Sequence, residues 1–147
     1  MKKSTNSVQD KKALDGIRVI DMTRYLPGSY TSLMLADFGA EVIMVEKLGE
    51  GEPGRSNAPF INGISSRHLL LQRNKKSITL DFRKPAGKEM LLKLVSSADV
   101  LIENFRPGYM ASVGLNSDYS REQSGKDCCN GFLDSNIFMA FTEARDV

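Results

Sequence analysis

The sequence predicts an α/β fold with a mainly parallel sheet, and three observations carry that expectation. A β-branched run at residues 17–21 and an apolar run at 41–46 flank a stretch with helical character. The same strand, helix, strand rhythm returns at residues 77–81, 87–95 and 99–103. The connections within each unit are short and rich in turn residues, and a strand–helix–strand unit of this kind places its strands parallel with a right-handed crossover.

Taken in order, residues 1–12 carry Lys2, Lys3, Lys11 and Lys12 against Asp10 with no apolar period, which predicts a disordered basic tail. Residues 13–115 form the predicted domain. Its first strand, 17–21, runs into a polar turn at 23–28 that includes Pro27 and Gly28. Residues 29–38 then predict a helix, with Gly39 placed to adopt the left-handed conformation that ends helices. Val42, Ile43, Met44 and Val45 are apolar at successive positions, as in a strand buried on both faces. Residues 48–62, with Gly49, Gly51, Gly54, Pro53 and Pro59, predict a long loop, and long loops in compact domains tend to be functional. Strand 77–81 is followed by Pro85 near a helix start and by an amphipathic stretch over 87–95. Strand 99–103 ends in a turn over 104–108. Residues 116–147 are a tail of different character: polar over 116–130, then a mixed apolar, helix-like segment over 132–141 with no evident partner.

Composition narrows the function. The 147 residues suit one domain, and 41% hydrophobic with 26% charged residues is a globular balance that excludes a disordered or fibrous chain. No apolar run approaches the ~18–20 residues of a membrane helix, so no membrane partner is expected. Met1, Lys2 and Lys3 are followed by polar residues instead of an apolar signal core, which points to the cytoplasm. Cys128 and Cys129 are adjacent, and no Cys/His spacing suggests zinc, so no metal is expected. The net charge of +2 arises in the first twelve residues, leaving a near-neutral body without a face for nucleic acid.

The familiar phosphate motifs are absent. The turn over 23–28 has one glycine where a dinucleotide fingerprint needs three, no Gly-Lys-Ser/Thr closes a phosphate loop, and no Gly-x-Ser-x-Gly exists. Glu46, ending the second strand, stands where an acidic ribose ligand would sit. The single histidine, His68, is expected to be structural. What remains is a set of cations beside predicted strand ends: Lys47, Arg73, Lys75, Lys76, Arg83, Lys84 and Arg106. Lysine meets phosphate as a point charge and arginine as a fork, and Tyr25 and Phe105 in the same turns could cover a flat base. The residues therefore suggest a nucleotide-bearing ligand held without a glycine cradle.

Four ordered blocks carry a resemblance: residues 14–21 with Pro27 and Gly28, 35–43, 74–81 and 98–108. They resemble the N-terminal part of the class III CoA-transferases of CaiB/BaiF type, the family of formyl-CoA transferase, the carnitine and bile-acid CoA-transferases and α-methylacyl-CoA racemase. The resemblance implies a Rossmann-like domain that binds coenzyme A, in an enzyme moving CoA between an acyl-CoA and a carboxylate. The family's CoA contacts fall on Tyr25, Leu26, Lys47, Leu80, Asp81, Phe82, Arg83, Asn104, Phe105 and Arg106. Lys47 stands where relatives have arginine, and Ser112 where some have a further arginine.

In the family the nucleophilic aspartate of the transferases, and the His–Asp pair of the racemases, lie beyond this block. No catalytic residue is therefore assigned, and Asp118, Asp127 and Asp134 lack the family context. Relatives are several hundred residues long and form interlocked homodimers. The expectations are a fold truncated relative to the family, a tail after Leu115 in an altered reading frame, apolar faces left to be covered, and no turnover by this chain alone. The alternatives are a racemase-type isomerase and a non-catalytic CoA-binding fragment.

Overall fold

The structure, a computed structural model, describes residues 11–106, 108–115, 129–131 and 138–141. In chain order it has β1 (Arg18–Asp21), α1 (Tyr25–Asp37), β2 (Glu41–Glu46), a 3₁₀ turn (Pro53–Ser56), β3 (Phe60–Ile61) and β4 (Ile64–Ser65). Then follow α2 (Ser66–Leu71), β5 (Lys75–Thr79), α3 (Pro85–Ser96), β6 (Val100–Glu103), α4 (Tyr109–Ser112), β7 (Cys129–Gly131) and β8 (Phe138–Phe141). The basic tail expected over 1–12, Lys11 and Lys12 apart, lies outside the described residues. So does most of 116–147, with Asp118, Asp127, Cys128 and Asp134.

The main sheet has the order β5-β2-β1-β6-β8-β7. The first four strands are mutually parallel and the last two join antiparallel, which makes the sheet mainly parallel and the fold α/β. Residues 138–141, in the segment expected to be helix-like, are a strand instead; pairing with β6 covers backbone groups that an edge would leave unmet.

Alternation along the strands builds two cores. Val19, Val42, Val100 and Ile102 pack with Ala36 and Ala40 on the α1 face. Ile20 and Val45 pack with Phe82, Leu91 and Val95 on the α3 face. Residues alternate between faces with period two, so successive apolar positions in β1 and β2 serve both layers. On its outer side α1 leaves Leu26, Tyr30 and Met34 exposed, and its C-cap Phe38 continues the four-residue spacing.

Boundaries differ from expectation for physical reasons. Helix α1 starts at Tyr25, four residues early, because Pro27 falls in the first turn, where a missing N–H breaks no helical bond. Strand β5 begins two residues early, so that Lys75 and Lys76 pair with Val42 and Ile43. The loop after β2 contains a 3₁₀ turn and a hairpin. Asn62 and Gly63 both have positive φ, 50° and 79°, as the two-residue hairpin turn requires. Helix α2 is capped by the Ser65 side chain, which accepts from the His68 N–H.

Candidate functional site

Because β5, β2, β1 and β6 point the same way, the segments that leave them meet at one edge of the sheet. The register pairs Asp21 with Met44 and Ile102, and Glu46 with Thr79. Tyr25 and Leu26, Lys47, Leu80 to Arg83, and Asn104 to Arg106 therefore all border this carboxyl edge. The order reverses between β1 and β6, since β1 leads to β2 on one side and β5 crosses to β6 on the other. A reversal of this kind opens a crevice above the strand ends. Lys47 and Arg106 follow strands separated only by β1, about 10 Å of sheet.

Not every expected cation comes to this edge. Residues 73–76 lead into β5 at its amino end, so they lie at the opposite edge of the sheet from the other expected cations, and the expectation of one shared mouth is corrected for them. Arg73 pairs with Asp37 at 2.5 Å and Lys76 with Glu41 at 2.5 Å. Lys75 turns inward, with its side chain 0% exposed.

At the crevice, the Asn104 side chain grips the backbone of Arg24: its Oδ1 accepts from the Arg24 N–H and its Nδ2 donates to the Arg24 carbonyl, each at 2.7 Å. The Arg24 guanidinium carbon lies 6.0 Å from the centroid of the Phe105 ring. That ring packs against Tyr109 at 4.9 Å and Phe82 at 6.0 Å. Phe82 is buried, and Leu80 and Phe105 pack on the same core. Tyr25, 66% exposed with φ +64°, and Leu26 face solvent instead. Glu103 accepts from the Phe105 N–H at 2.6 Å, and burial pushes its carboxyl above the usual range.

The charged groups at this edge are mostly paired. Arg83 contacts both oxygens of Asp81, Nε at 2.7 Å and Nη2 at 3.1 Å. Lys47 meets Glu50 at 2.7 Å. Glu50 is held below its ordinary range by Lys47 first, and then by Arg83 and Arg24. Arg83 and Arg24 thus both act electrostatically on the Glu50 carboxylate. Arg106 is exposed, with no side-chain partner among the described residues.

Two buried networks set the edge from below. Asp21, 1% exposed, accepts from the Thr23 N–H at 2.9 Å, from Thr23 Oγ1 at 2.6 Å and from Ser32 Oγ. Lys75 Nζ lies 3.5 Å from it and donates to Ser32 Oγ, Gln72 Oε1 and the Ser29 carbonyl at 2.7–2.9 Å. Glu46 takes a fork from Arg55 at 2.6 and 2.5 Å, the Glu52 N–H at 2.8 Å and the Ser77 hydroxyl. Arg55 above all holds the Glu46 carboxyl down at about 2. Glu46, expected from its place ending the second strand as a ribose ligand, is engaged instead in anchoring the loop after β2. His68 is largely buried, its Nδ1 unbonded and 4.0 Å from Glu52; burial, then Arg55, push its pKa down.

The sequence reading missed Arg24 and the buried role of Lys75. Arg24 gave no signal except its place between the first strand and the Pro-Gly turn. Among the described residues no group of three His, Cys, Asp or Glu side chains is arranged to hold a metal ion, and no helix is long and apolar enough to cross a membrane.

Parallel strand order β5-β2-β1-β6, helices α1 and α3 on opposite faces and the order reversal beside β1 define the class: a doubly wound α/β domain of Rossmann type. The chain belongs to CoA-transferase family III, whose model matches residues 14–125. It is 42% identical over 105 residues to succinyl-CoA:glutarate CoA-transferase of Mus musculus, covering 71% of this chain and 24% of that protein. It is 44% identical over 112 residues to formyl-CoA:oxalate CoA-transferase of Rhodopseudomonas palustris (strain HaA2), covering 76% and 26%. The chain thus spans about a quarter of the length of the curated relatives it matches. Among solved structures, a hypothetical protein from Mycobacterium tuberculosis matches with TM-score 0.70 and 41% identity, over 76% of this chain and 31% of that one. A CAIB/BAIF family protein from Brucella suis matches with TM-score 0.70 and 36% identity, over 77% and 31%.

Proposed function

We propose that the carboxyl edge of the parallel sheet binds the coenzyme A portion of an acyl-CoA, and that the chain serves a reaction in which CoA passes between carboxylic acids. The observation that supports this most is convergence. Ten residues carried over from the family resemblance, scattered between positions 25 and 106, border one edge around the β1–β6 crevice. That edge offers cations for phosphates, from Lys47, Arg83 and Arg106, and the exposed Tyr25 ring for a base. The relatives named above are CoA-transferases by description, which favours transfer over isomerisation.

We further propose that these residues bind without performing exchange by themselves. An acyl exchange through a covalent intermediate needs a carboxylate free to attack. The carboxylates of this edge are engaged elsewhere: Asp21 and Glu46 in buried networks, Asp81 by Arg83, Glu50 by Lys47, and Glu103 by a backbone N–H. Calorimetric titration with CoA tests the binding, and incubation with formyl-CoA or succinyl-CoA and a labelled carboxylate tests the chemistry. Binding without label transfer is the expected result. Absence of heat with CoA would remove the first part of this reading, and label appearing in CoA ester the second.

A further inference from the structure

We infer that Arg24 is the principal phosphate ligand of the crevice, holding a phosphate of the CoA nucleotide; the inference rests on the CoA reading above. Arg24, Arg83, Lys47 and Arg106 stand at this edge, and their surroundings separate them. Arg83 already gives Nε and Nη2 to the two oxygens of Asp81, and Lys47 gives its ammonium to Glu50. A phosphate reaching either must displace a carboxylate. Arg106 is exposed and unanchored, so binding must first order a long side chain.

Arg24 escapes both penalties. Both its backbone polar groups are fixed by Asn104. Its guanidinium rests over the Phe105 ring, which Phe82 and Tyr109 hold in turn. It forms no ion pair with any carboxylate among the described residues. The ring lies 6.0 Å from the guanidinium carbon and takes none of its hydrogen-bonding capacity, so the N–H donors stay available to a ligand. The result is a preorganised, half-buried cation beside the point where strand order reverses.

The neighbouring residue adds an independent mark. Tyr25 holds φ +64°, a conformation uncommon for a bulky side chain, and local strain of this kind gathers at ligand sites. It turns the chain sharply after Arg24 and sends the Tyr25 ring into solvent beside the same crevice.

The test is calorimetric titration of the full chain with CoA, 3′-dephospho-CoA and pantetheine, the last lacking phosphate. Arg24→Ala is expected to raise the Kd for CoA about ten- to a hundredfold, the range for a hydrogen bond between charged partners, and to leave pantetheine unchanged. Its effect should exceed those of Arg83→Ala and Lys47→Ala. Arg24→Lys, which retains charge without the fork, should recover only part of the loss, and Arg24→Gln should behave as alanine while keeping the stem over Phe105. A loss shared by CoA and 3′-dephospho-CoA supports the proposal with the pyrophosphate as ligand; a loss confined to CoA supports it with the 3′-phosphate. Unchanged CoA affinity in Arg24→Ala, or equal weakening for pantetheine, overturns the role of Arg24 while leaving the CoA site intact. A wild-type chain that binds no CoA overturns the site itself.

Discussion

Asn104, leaving β6, holds Arg24, leaving β1, by both of its backbone groups at 2.7 Å. The last paired residues of these strands are Asp21 and Ile102, and the Met22 N–H still reaches the Ile102 carbonyl at 2.8 Å. The amide side chain thus continues the pairing of two strands after their backbones part, and the crevice opens beyond it. Asn104→Ala leaves a half-buried N–H and C=O without partners, and is expected to lower stability by about 1–3 kcal/mol. Asn104→Asp keeps the acceptor and loses the donor, so about half of that loss is expected. Urea unfolding measures both. CoA affinity should fall along with stability, because Arg24 is released.

Two glycines fit the helices to this edge by having no side chain. A Cβ on Gly87 would lie 2.1 Å from the Asp81 carbonyl oxygen, which is backbone. A Cβ on Gly28 would lie 2.1 Å from Thr23 Cβ, and Thr23 is buried and bonded to Asp21. Neither neighbour is free to swing aside. Gly28→Ala and Gly87→Ala are each expected to cost about 1–3 kcal/mol as overpacking. Gly87→Ala should also weaken CoA binding, because the start of α3 then pushes on the segment that carries Asp81, Phe82 and Arg83. Normal stability in Gly87→Ala would contradict this fit.

Much of the fold was legible in the sequence because its central strands, β1 and β2, are largely buried on both faces. Apolar runs such as Val42 to Val45 leave little freedom of assignment, and the edge they define followed from parallel pairing. The hairpin at 60–65 was signalled by Asn62-Gly63 and passed over, because its strands are only two residues long and are mostly exposed. The split of the cations was not legible. Lys75 and Lys47 look alike in sequence, yet one enters the core because β5 starts two residues before the β-branched run does. Arg24 was hidden for a related reason: its contacts are with Asn104 and Phe105, about eighty residues away, and local pattern carries no information about such pairs.

Lys75 offers a sharp test of the buried network. Burial lowers its pKa, while Asp21 acts to hold its charge. Lys75→Met removes the cation and three donated hydrogen bonds, leaving the Asp21 carboxylate buried without a countercharge. A loss of about 3–5 kcal/mol is expected, as for other buried pairs broken on one side. Asp21→Asn in the same background removes the stranded charge and should recover part of the loss. Denaturant unfolding of the two single variants and the double variant measures the coupling, expected at about 1–3 kcal/mol. Strictly additive losses would show that the two charges do not stabilise each other.

The acid limb of stability should depend on Glu46. Its side chain is 2% exposed and its carboxyl titrates at about 2, chiefly because of the Arg55 fork, with burial opposing and the Ser77 hydroxyl and Glu52 N–H assisting. The folded pKa therefore lies below the unfolded value near ~4.3, and such a group stabilises the fold above the unfolded value and loses that contribution as pH falls toward the folded one. Up to about 3 kcal/mol is expected to disappear between pH ~4.5 and ~2. Glu41 and Asp81 are lowered as well, but their pairs are exposed to water and add little. Glu103 has the opposite sign: burial raises its pKa, so it opposes folding as pH rises through the carboxylate range. Glu46→Gln should therefore lower stability at pH 7 and flatten the acid limb. Glu103→Gln, which retains an acceptor for the Phe105 N–H, should leave neutral-pH stability unchanged or raise it. Thermal unfolding from pH 2 to 7 separates the two, and an acid limb in Glu46→Gln as steep as in wild type would show that the Arg55 fork is not its source.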